Sequence, residues 1–346
     1  MNERRAYLDH CVGETRGVIT LDGRPERLIL QRDDDDRRLL LGARHVARVA
    51  SVDPQIGIAF LDLDGGAEAA LPFKPDSRPV RGAAVEIEIR SEPRAGKLAT
   101  ARFLGEGEGA RRLLAPPPPV SEVLAILARG VETIEGRDAR LAADEAEAEA
   151  LEVVHALPEG GTLAIEPTRA LTAVDVDLGD RKGADAKRVT RRANLTAIAE
   201  TARLLRLKGL GGIVVIDLVG RGHDGAALLA AARQAFAPDN PGVSIGPVGR
   251  FGTMELSIPR RGRPLLEQLC DADGRLSDRT LAQRLIRRIS EEAAAQPGAR
   301  LAAVCAPSVA RAAEPLAAAL AARIGARFSI SGEPGALRDR LDVRAT

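Results

Sequence analysis

The sequence predicts a multi-domain α+β or α/β protein in which a small β-barrel precedes a layered α/β region. Between Leu39 and Gly105, four or five short apolar or alternating runs are separated by Gly and Pro turns and show no helical periodicity. This pattern is typical of a small barrel. Beyond Gly161, strand-like runs alternate with helix-like ones, which indicates an α/β layered domain.

Composition narrows the classes of function. The chain has 346 residues, 45% of them hydrophobic, which is enough for two or three folded domains. Its 50 basic and 49 acidic residues nearly cancel, so any nucleic-acid surface has to be local. The three widely spaced cysteines suit neither a disulfide framework nor a metal knuckle, which favours a reducing cytoplasm. No apolar run approaches the roughly 20 residues of a membrane span, so no membrane partner is predicted.

The first half of the chain contains two further kinds of element. Residues Gly17 to Gln31 predict two strands around an Asp-Gly turn. After the barrel, the prolines Pro116 to Pro119 mark a stiff boundary. A helix is then predicted from about Val120 to Ile134, followed by the Ala/Glu-rich helical segment Leu141 to Gly161.

The second half has a long amphipathic helix followed by a strand. The stretch "VTRRANLTAIAETARLLRLKGLGG" predicts a helix that has one apolar face and ends at glycine. The run "IVVIDLV", Ile213 to Val219, predicts a strand buried on both faces. The helix also carries a basic face, which either grips phosphates or is simply solvated. Its members are Arg188, Arg191, Arg192, Arg203, Arg206 and Lys208.

Two of the predicted strands carry aspartates. In "TAVDVD" the period of two places Ala173, Asp175 and Asp177 on one face, and Asp217 lies near the end of "IVVIDLV". Carboxylates at the carboxyl ends of neighbouring strands hold Mg²⁺ together with waters and a substrate phosphate. Such a site activates water for attack on a phosphodiester. The alternative is that these aspartates cap the following helix or turn. His223 is interpreted as a surface histidine at a helix start.

Three stretches resemble the ribonuclease E/G family in order and approximate spacing. They are "GGTLAIEPTRALTAVDVD", "NLTAIAETARLLRLKGLGGIVVIDLV" and "GRFGTMELSIPRRGRPLL". The resemblance implies an RNA-binding OB-fold, an RNase H-like part and a DNase I-like catalytic part. It divides the chain into N-terminal strands as an RNase H-like remnant (1–38), the OB-fold barrel (39–105), a linker with helices in place of the family's 5′ sensor (106–148), and the DNase I-like catalytic region with a C-terminal βα segment (149–346).

The resemblance also assigns the catalytic residues. Asp175 and Asp217 match the family's two aspartates that bind the catalytic Mg²⁺. Asp177 stands where the family typically has an asparagine that orients a metal-bound carboxylate, and we expect it to tune the site.

RNA contacts are assigned in the same way. Phe60 matches an aromatic that stacks on a base, whereas Ala70 stands where a second aromatic is expected. Lys97 lies in the matching basic loop, and Arg250 of "GRFG" matches a motif arginine suited to a phosphate contact. Arg191, from the basic face of the long helix, is the fourth RNA-binding candidate.

Two departures from the family shape the predicted function. No recognisable 5′ sensor lies between barrel and catalytic region, so we expect indifference to the number of 5′ phosphates. Cys270 stands alone where the family has a paired-cysteine motif, so neither zinc nor a zinc-linked oligomer is expected.

The predicted function is therefore that of a Mg²⁺-dependent endoribonuclease that cuts single-stranded RNA in RNA processing, including rRNA processing, or in decay, in the cytoplasm. One alternative is a non-catalytic RNA-binding protein that keeps the family's fold. Another is a metal-binding regulator that acts through protein contacts.

Overall fold

The chain begins with a three-stranded antiparallel sheet. The computed structural model describes residues 3–94, 96–158, 160–179, 186–220, 222 and 224–346. The first strands are β1 (Arg4–Cys11), β2 (Glu14–Leu21) and β3 (Arg24–Arg32), and β2 lies in the middle. The sequence predicted only two strands here, from Gly17 to Gln31; these correspond to β2 and β3. The strand β1 escaped prediction because its charged residues obscure the alternation.

A closed five-stranded barrel follows. Its strands are β4 (Arg44–Asp53), β5 (Ile58–Asp62), β6 (Glu68–Pro72), β7 (Ala84–Ser91) and β8 (Ala99–Glu106). They pair in the order β5-β6-β8-β7-β4, and pairing of β4 with β5 closes the barrel, while β9 (Arg112–Ala115) adds to the outside of β4. Alternate side chains such as Leu61, Leu71 and Ile87 fill the interior. The predicted small barrel is confirmed, and its closure is consistent with an OB-fold.

The chain then returns to the N-terminal sheet. Helix α1 (Val120–Leu127) packs on it at Gly17, where a Cβ would lie 2.5 Å from Val120 Cγ1. Strand β10 (Thr133–Ile134) pairs parallel with β1, and helix α2 (Arg137–Leu151) packs its alanines on the same sheet. The helix predicted to continue to Ile134 therefore ends early, because Thr133 and Ile134 are extended to pair with β1. The barrel is thus inserted between two segments of one unit.

The next unit is a six-stranded sheet with helices on one face. Its strands are β11 (Val154–Ala156), β12 (Thr162–Pro167), β13 (Thr172–Asp177), β14 (Gly212–Asp217), β15 (Ser244–Val248) and β16 (Thr253–Ile258). The order is β11-β12-β13-β14-β16-β15, and only β13 and β14 run parallel. Helix α3 (Ala186–Lys208) makes the crossover between these two strands, and α4 (Gly225–Ala235) follows β14.

One face of this sheet is buried and the other is largely open. Val174, Val214 and Ile216 join the core beneath α3, together with the predicted apolar helix residues Ile198 and Leu205. On the opposite face Ile213 is 53% exposed. The prediction of a strand buried on both faces is therefore wrong for β14. An uninterrupted apolar run does not distinguish a doubly buried strand from one with an uncovered face.

The C-terminal part forms a small unit with its own three-stranded sheet. After the short helix α5 (Leu265–Leu269) come α6 (Asp278–Ala295), β17 (Leu301–Cys305), α7 (Pro307–Ile324), β18 (Phe328–Gly332) and β19 (Asp342–Ala345). Strand β17 lies between β18, which is parallel to it, and β19, which is antiparallel. None of the helices in the described ranges is both long enough and apolar enough to cross a membrane.

A buried ion-pair network joins the N-terminal sheet, α2 and α6. Arg287 of α6 donates to Glu14 of β2 at 2.6 Å and to Glu147 of α2 at 3.1 Å. Arg16, which is fully buried, donates to Asp9 and also lies 3.4 Å from Glu147. Burial alone would raise the pKa of Glu147, but Arg287, Arg284 and Arg16 outweigh it and hold that pKa below its usual value. The carboxylate is therefore charged at neutral pH.

We expect Arg287→Met to lower the free energy of unfolding by about 1.5–3 kcal/mol, because Glu14 and Glu147 each lose one charged hydrogen-bond donor while Arg32 and Arg284 remain. The matched control is Arg340→Met, which removes a guanidinium paired with Asp342 at a site 54% exposed. That surface pair should contribute about 0–1 kcal/mol. Urea denaturation of both variants measures the difference, and equal losses would contradict a special role for the network.

Candidate functional site

Asp175 and Asp217 are direct neighbours in the structure. They are register partners in the parallel pairing of β13 and β14. Adjacent strands lie about 4.8 Å apart, so the two carboxylates project side by side from the same face. Both residues are exposed, as is Asp177 on the same face, whereas Val174 and Val176 point into the core. The prediction that alternation places Asp175 and Asp177 on one face is confirmed.

The electrostatic setting of the aspartates follows from their exposure. These carboxylates lie at the open face, so they carry no large burial penalty. Like charges placed directly opposite each other nevertheless weaken a strand pair, and a bound cation relieves that repulsion. In the described ranges no three or more His, Cys, Asp or Glu residues are grouped so that they could hold a metal ion. Any metal here would therefore rely on water and substrate oxygens beside the two aspartates.

Asp177 takes the turn-capping role that was the alternative interpretation of these aspartates. Its Oδ1 accepts a hydrogen bond of 2.8 Å from the Gly179 N–H. Its own carbonyl lies against Gly161, where a Cβ would approach the Asp177 O to 2.3 Å. Gly161 also has φ +82°, so both space and backbone conformation favour glycine there. Asp177, the last residue of β13, is thus fixed beside the start of β12. It also begins the loop that follows β13.

The loop after Asp217 is held from two sides. The buried Asn194 side chain of α3 donates to Val219 O at 3.0 Å and accepts from the Val219 N–H at 3.0 Å. On the other side the Leu218 N–H donates to Gly252 O at 3.2 Å. Sequence reasoning missed Asn194, although a polar residue four positions before Ile198, on the apolar face, is a detectable signal. Asn194 fixes the backbone directly beyond the carboxylate pair.

The "GRFG" stretch forms the turn between β15 and β16. The Gly249 N–H donates to Thr253 O at 2.8 Å, and the Gly252 N–H donates to Gly249 O at 3.0 Å. Thr253 is the register partner of Asp217, so this turn lies at the same edge of the sheet as the two aspartates. The structure therefore brings Arg250 to the candidate site.

The predicted basic face of α3 divides into two parts. Arg191 lies 3.5 Å from Asp224, the residue that caps α4, and both side chains are at least half exposed. Arg203, by contrast, is buried and donates to Glu149, Glu200 and Pro25 O. Arg206 is likewise bonded inside the protein, to Asp239.

Lys208 completes the buried part of the helix. It donates to Ala150 O at 2.9 Å and to Glu152 O. Burial lowers the pKa of Lys208 to about 8. The C-terminal half of the predicted basic face thus consists of side chains that are bonded inside the protein. For Arg203, Arg206 and Lys208, the prediction of phosphate contacts and the alternative prediction of a solvated face are both wrong. Helical periodicity could not reveal this, because it does not show which elements cover the helix.

The candidate residues of the barrel lie apart from the aspartates. Phe60, half-buried on the outer side of β5, is the register partner of Ala70 on β6. Lys97 is exposed in the hairpin between β7 and β8, where its N–H donates to Arg94 O at 2.6 Å. Lys97 also lines an open cleft of about 510 Å³ together with Arg38 and Glu68.

The same hairpin contacts the segment that follows β16. The Glu92 N–H donates to Arg261 O at 2.8 Å, and the Glu92 carboxylate accepts from the Arg263 N–H at 3.0 Å. The pKa of Arg94 is lowered by burial and then by the nearby charge of Arg260. The barrel and the six-stranded sheet are thus joined by direct hydrogen bonds. His223 lies outside the described residues.

Comparison with known proteins covers the part of the chain that carries the aspartates. Residues 129–261, which contain the whole six-stranded sheet, match the model of the Ribonuclease E/G family. Ribonuclease E of Haemophilus influenzae is 34% identical over 147 residues, 40% of this chain and 16% of that protein. Ribonuclease E of Escherichia coli K12 is 34% identical over 147 residues, 40% of this chain and 14% of that protein. Ribonuclease E of a Nostoc species is 34% identical over 118 residues, 33% of this chain and 17% of that protein.

Fold and site together define a mixed α/β protein with a closed five-stranded barrel and a carboxylate pair on an open sheet face. Residues 129–261 of the chain match the ribonuclease E/G family. The match spans only 16% of the length of the Haemophilus relative.

We expect Asn194→Ala to loosen the loop beyond Asp217, because it leaves the Val219 N–H and carbonyl without their partner. An unpaired buried group costs about 1–3 kcal/mol, so the amides from Leu218 to Gly220 should exchange about 5- to 150-fold faster. Hydrogen exchange measured by mass spectrometry tests this. The control is Thr196→Ala on the same helix, and unchanged protection of the loop in Asn194→Ala would refute the role of this side chain.

Proposed function

We propose that this protein is a Mg²⁺-dependent endoribonuclease that hydrolyses phosphodiester bonds of single-stranded RNA during RNA processing or decay. One observation carries the proposal above the others. The two positions that match the metal-binding aspartates of the ribonuclease E/G family are register partners at the carboxyl ends of the only parallel strands of the described sheet. Ligands bind at such strand ends in open α/β sheets.

The residues present fit a hard divalent cation. Asp175 and Asp217 offer only oxygen donors, they are exposed, and their side-by-side negative charge favours a cation between them. Mg²⁺, when bound, would polarise a phosphate oxygen and lower the pKa of a water for attack. Of the other side chains, Asp177 would orient the pair from its fixed position on Gly179, and Arg250 would hold a phosphate oxygen.

We assign the rest of the chain supporting roles. The barrel, 39–105, would hold the RNA strand through Phe60 and Lys97, and the region 149–346 would carry the chemistry. The N-terminal strands and the segment that contains α1, β10 and α2 would form an RNase H-like support, since β10 pairs with β1. Arg191 is exposed near the start of α3, and we propose that it approaches RNA only when its pairing with Asp224 opens.

A second candidate function is an RNA-binding protein that no longer cleaves. Ala70 directly faces Phe60, so this cross-strand pair offers one aromatic ring instead of two. Asp177, in place of the family's asparagine, adds a negative charge beside the metal-binding pair. Both features would weaken cleavage more than folding.

We expect Asp175→Asn and Asp217→Asn each to reduce Mg²⁺-dependent cleavage of a fluorescent single-stranded RNA by at least about 100-fold, because each removes half of the charged metal-binding pair. Both positions are exposed, so folding and RNA binding should be retained. The control Asp273→Asn neutralises a carboxylate that is 77% exposed on a C-terminal loop, and it should cleave normally.

Asp177→Asn separates the two candidate functions. If wild type cleaves RNA and Asp177→Asn cleaves it equally well or better, the result supports the enzyme. RNA binding without cleavage in wild type, restored by Asp177→Asn, supports a binding protein that has lost catalysis. If Asp175→Asn and Asp217→Asn cleave as well as wild type, the assignment of this site is wrong.

The barrel gives a separate prediction on affinity. Phe60→Ala should weaken binding of single-stranded RNA by about 1–3 kcal/mol, and Ala70→Phe should strengthen it by a similar amount, because stacking of one base on a ring contributes about this much. Fluorescence anisotropy in the absence of Mg²⁺ measures both effects. The control Ala70→Leu adds apolar bulk without a ring, and equal gains from Leu and Phe would argue against base stacking.

A further inference from the structure

Phe251 is the most exposed large hydrophobic residue in the described part of the chain. It is 78% exposed, whereas Phe236 is 1% exposed in the core. The whole chain has only six phenylalanines, one tyrosine and no tryptophan. A core built with so few rings gains from burying each one, so a ring left in solvent suggests a role in binding.

The backbone holds Phe251 at a fixed place. The flanking Gly249 and Gly252 close the turn with the hydrogen bonds to Thr253 O and Gly249 O described above. Gly252 is buried and has φ +87°, a backbone conformation that favours glycine. The Leu218 N–H donates to Gly252 O, which links the turn to the residue directly after Asp217. The ring is therefore carried by an anchored turn.

This turn places the ring beside the carboxylate pair. Thr253, two residues after Phe251, is the register partner of Asp217 on the neighbouring strand. With strands about 4.8 Å apart and about 3.4 Å of rise per residue, the Phe251 backbone lies within roughly 10 Å of Asp217. This separation is on the scale of one nucleotide.

Arg250 completes a two-part surface. Its guanidinium carbon lies 4.6 Å from the centroid of the Phe251 ring, which is a cation–π contact that steadies both side chains. Arg250 covers one ring face, and the high exposure of Phe251 leaves the opposite face open. An open ring face suits a nucleobase, and a guanidinium beside it suits a phosphate.

We propose that Phe251 is a stacking platform for one base of single-stranded RNA next to the scissile phosphate. This inference rests on the proposed function and adds a base-binding subsite to it. The ring would set the position of the phosphate relative to Asp175 and Asp217, so Phe251 is a positioning residue. Stacking is tolerant of base identity, so the platform would favour unpaired RNA without selecting a sequence.

The test combines protein variants with RNA that lacks a single base. Full-length wild type, Phe251→Leu and Phe251→Tyr are compared on one fluorescent RNA and on a series in which an abasic nucleotide is moved through the cleavage region. Phe251→Leu should lower kcat/KM on intact RNA by about 5- to 150-fold, whereas Phe251→Tyr keeps the ring and should retain activity. At one abasic position, the kcat/KM of wild type should fall by the same factor. The kcat/KM of Phe251→Leu should be the same on that RNA as on intact RNA.

Equilibrium binding in the Asp217→Asn background separates this inference from the proposed function. If the chain binds RNA but never cuts it, the nuclease is rejected. The stacking platform still stands in that case if Phe251→Leu and one abasic position weaken RNA binding by the same factor, alone or together. If the chain cuts RNA but the losses from Phe251→Leu and from every abasic position simply multiply, the platform is rejected and the nuclease stands. A change in self-association in Phe251→Leu, with unchanged RNA binding, would instead identify the ring as a protein contact and overturn the inference.

Discussion

The structure depends on a buried set of ion pairs that joins segments distant in the sequence. Glu14 accepts from both Arg32 and Arg287, and Glu147 accepts from Arg284 and Arg287, so the N-terminal sheet, α2 and α6 share each other's charges. Each member would be costly to bury by itself, and none is left without a partner of opposite charge. These ion pairs connect the segments on either side of the barrel, which is inserted between β3 and α1. The unit that these segments form in turn supports the six-stranded sheet through α2 and α3.

The position of the candidate site follows from one irregularity in an otherwise antiparallel sheet. Only β13 and β14 are parallel among the six described strands, so only there do two adjacent strands have their carboxyl ends at the same edge. The crossover requires a helix, and α3 supplies it. The same helix then fixes the loop beyond Asp217 through Asn194 and anchors its far end with Arg203 and Lys208. Helix α3 thus combines the crossover, the support of the loop and the anchoring to β3 and α2.

The open face of the sheet explains why carboxylates are tolerated there. Asp175 and Asp217 are solvated, so their mutual repulsion is moderate without a cation and is relieved when one binds. The turn that carries Arg250 and Phe251 lies at the same edge, and the barrel is hydrogen-bonded to the segment after β16 through Glu92. In the proposed function, a strand of RNA held by the barrel would reach the aspartates along this open face.

Local sequence patterns determined the elements and the orientation of their side chains. Alternation placed Asp175 and Asp177 on one face, turn residues delimited the barrel, and helical periodicity found the apolar face of α3, because backbone geometry fixes these relations within a few residues. Pairing and burial depend on which distant segments meet, and only the tertiary structure decided them. It made Asp217 the register partner of Asp175, and Ala70 that of Phe60. It buried Arg203 and left Ile213 exposed, because the layer that covers a strand or helix is contributed by residues far away in the sequence.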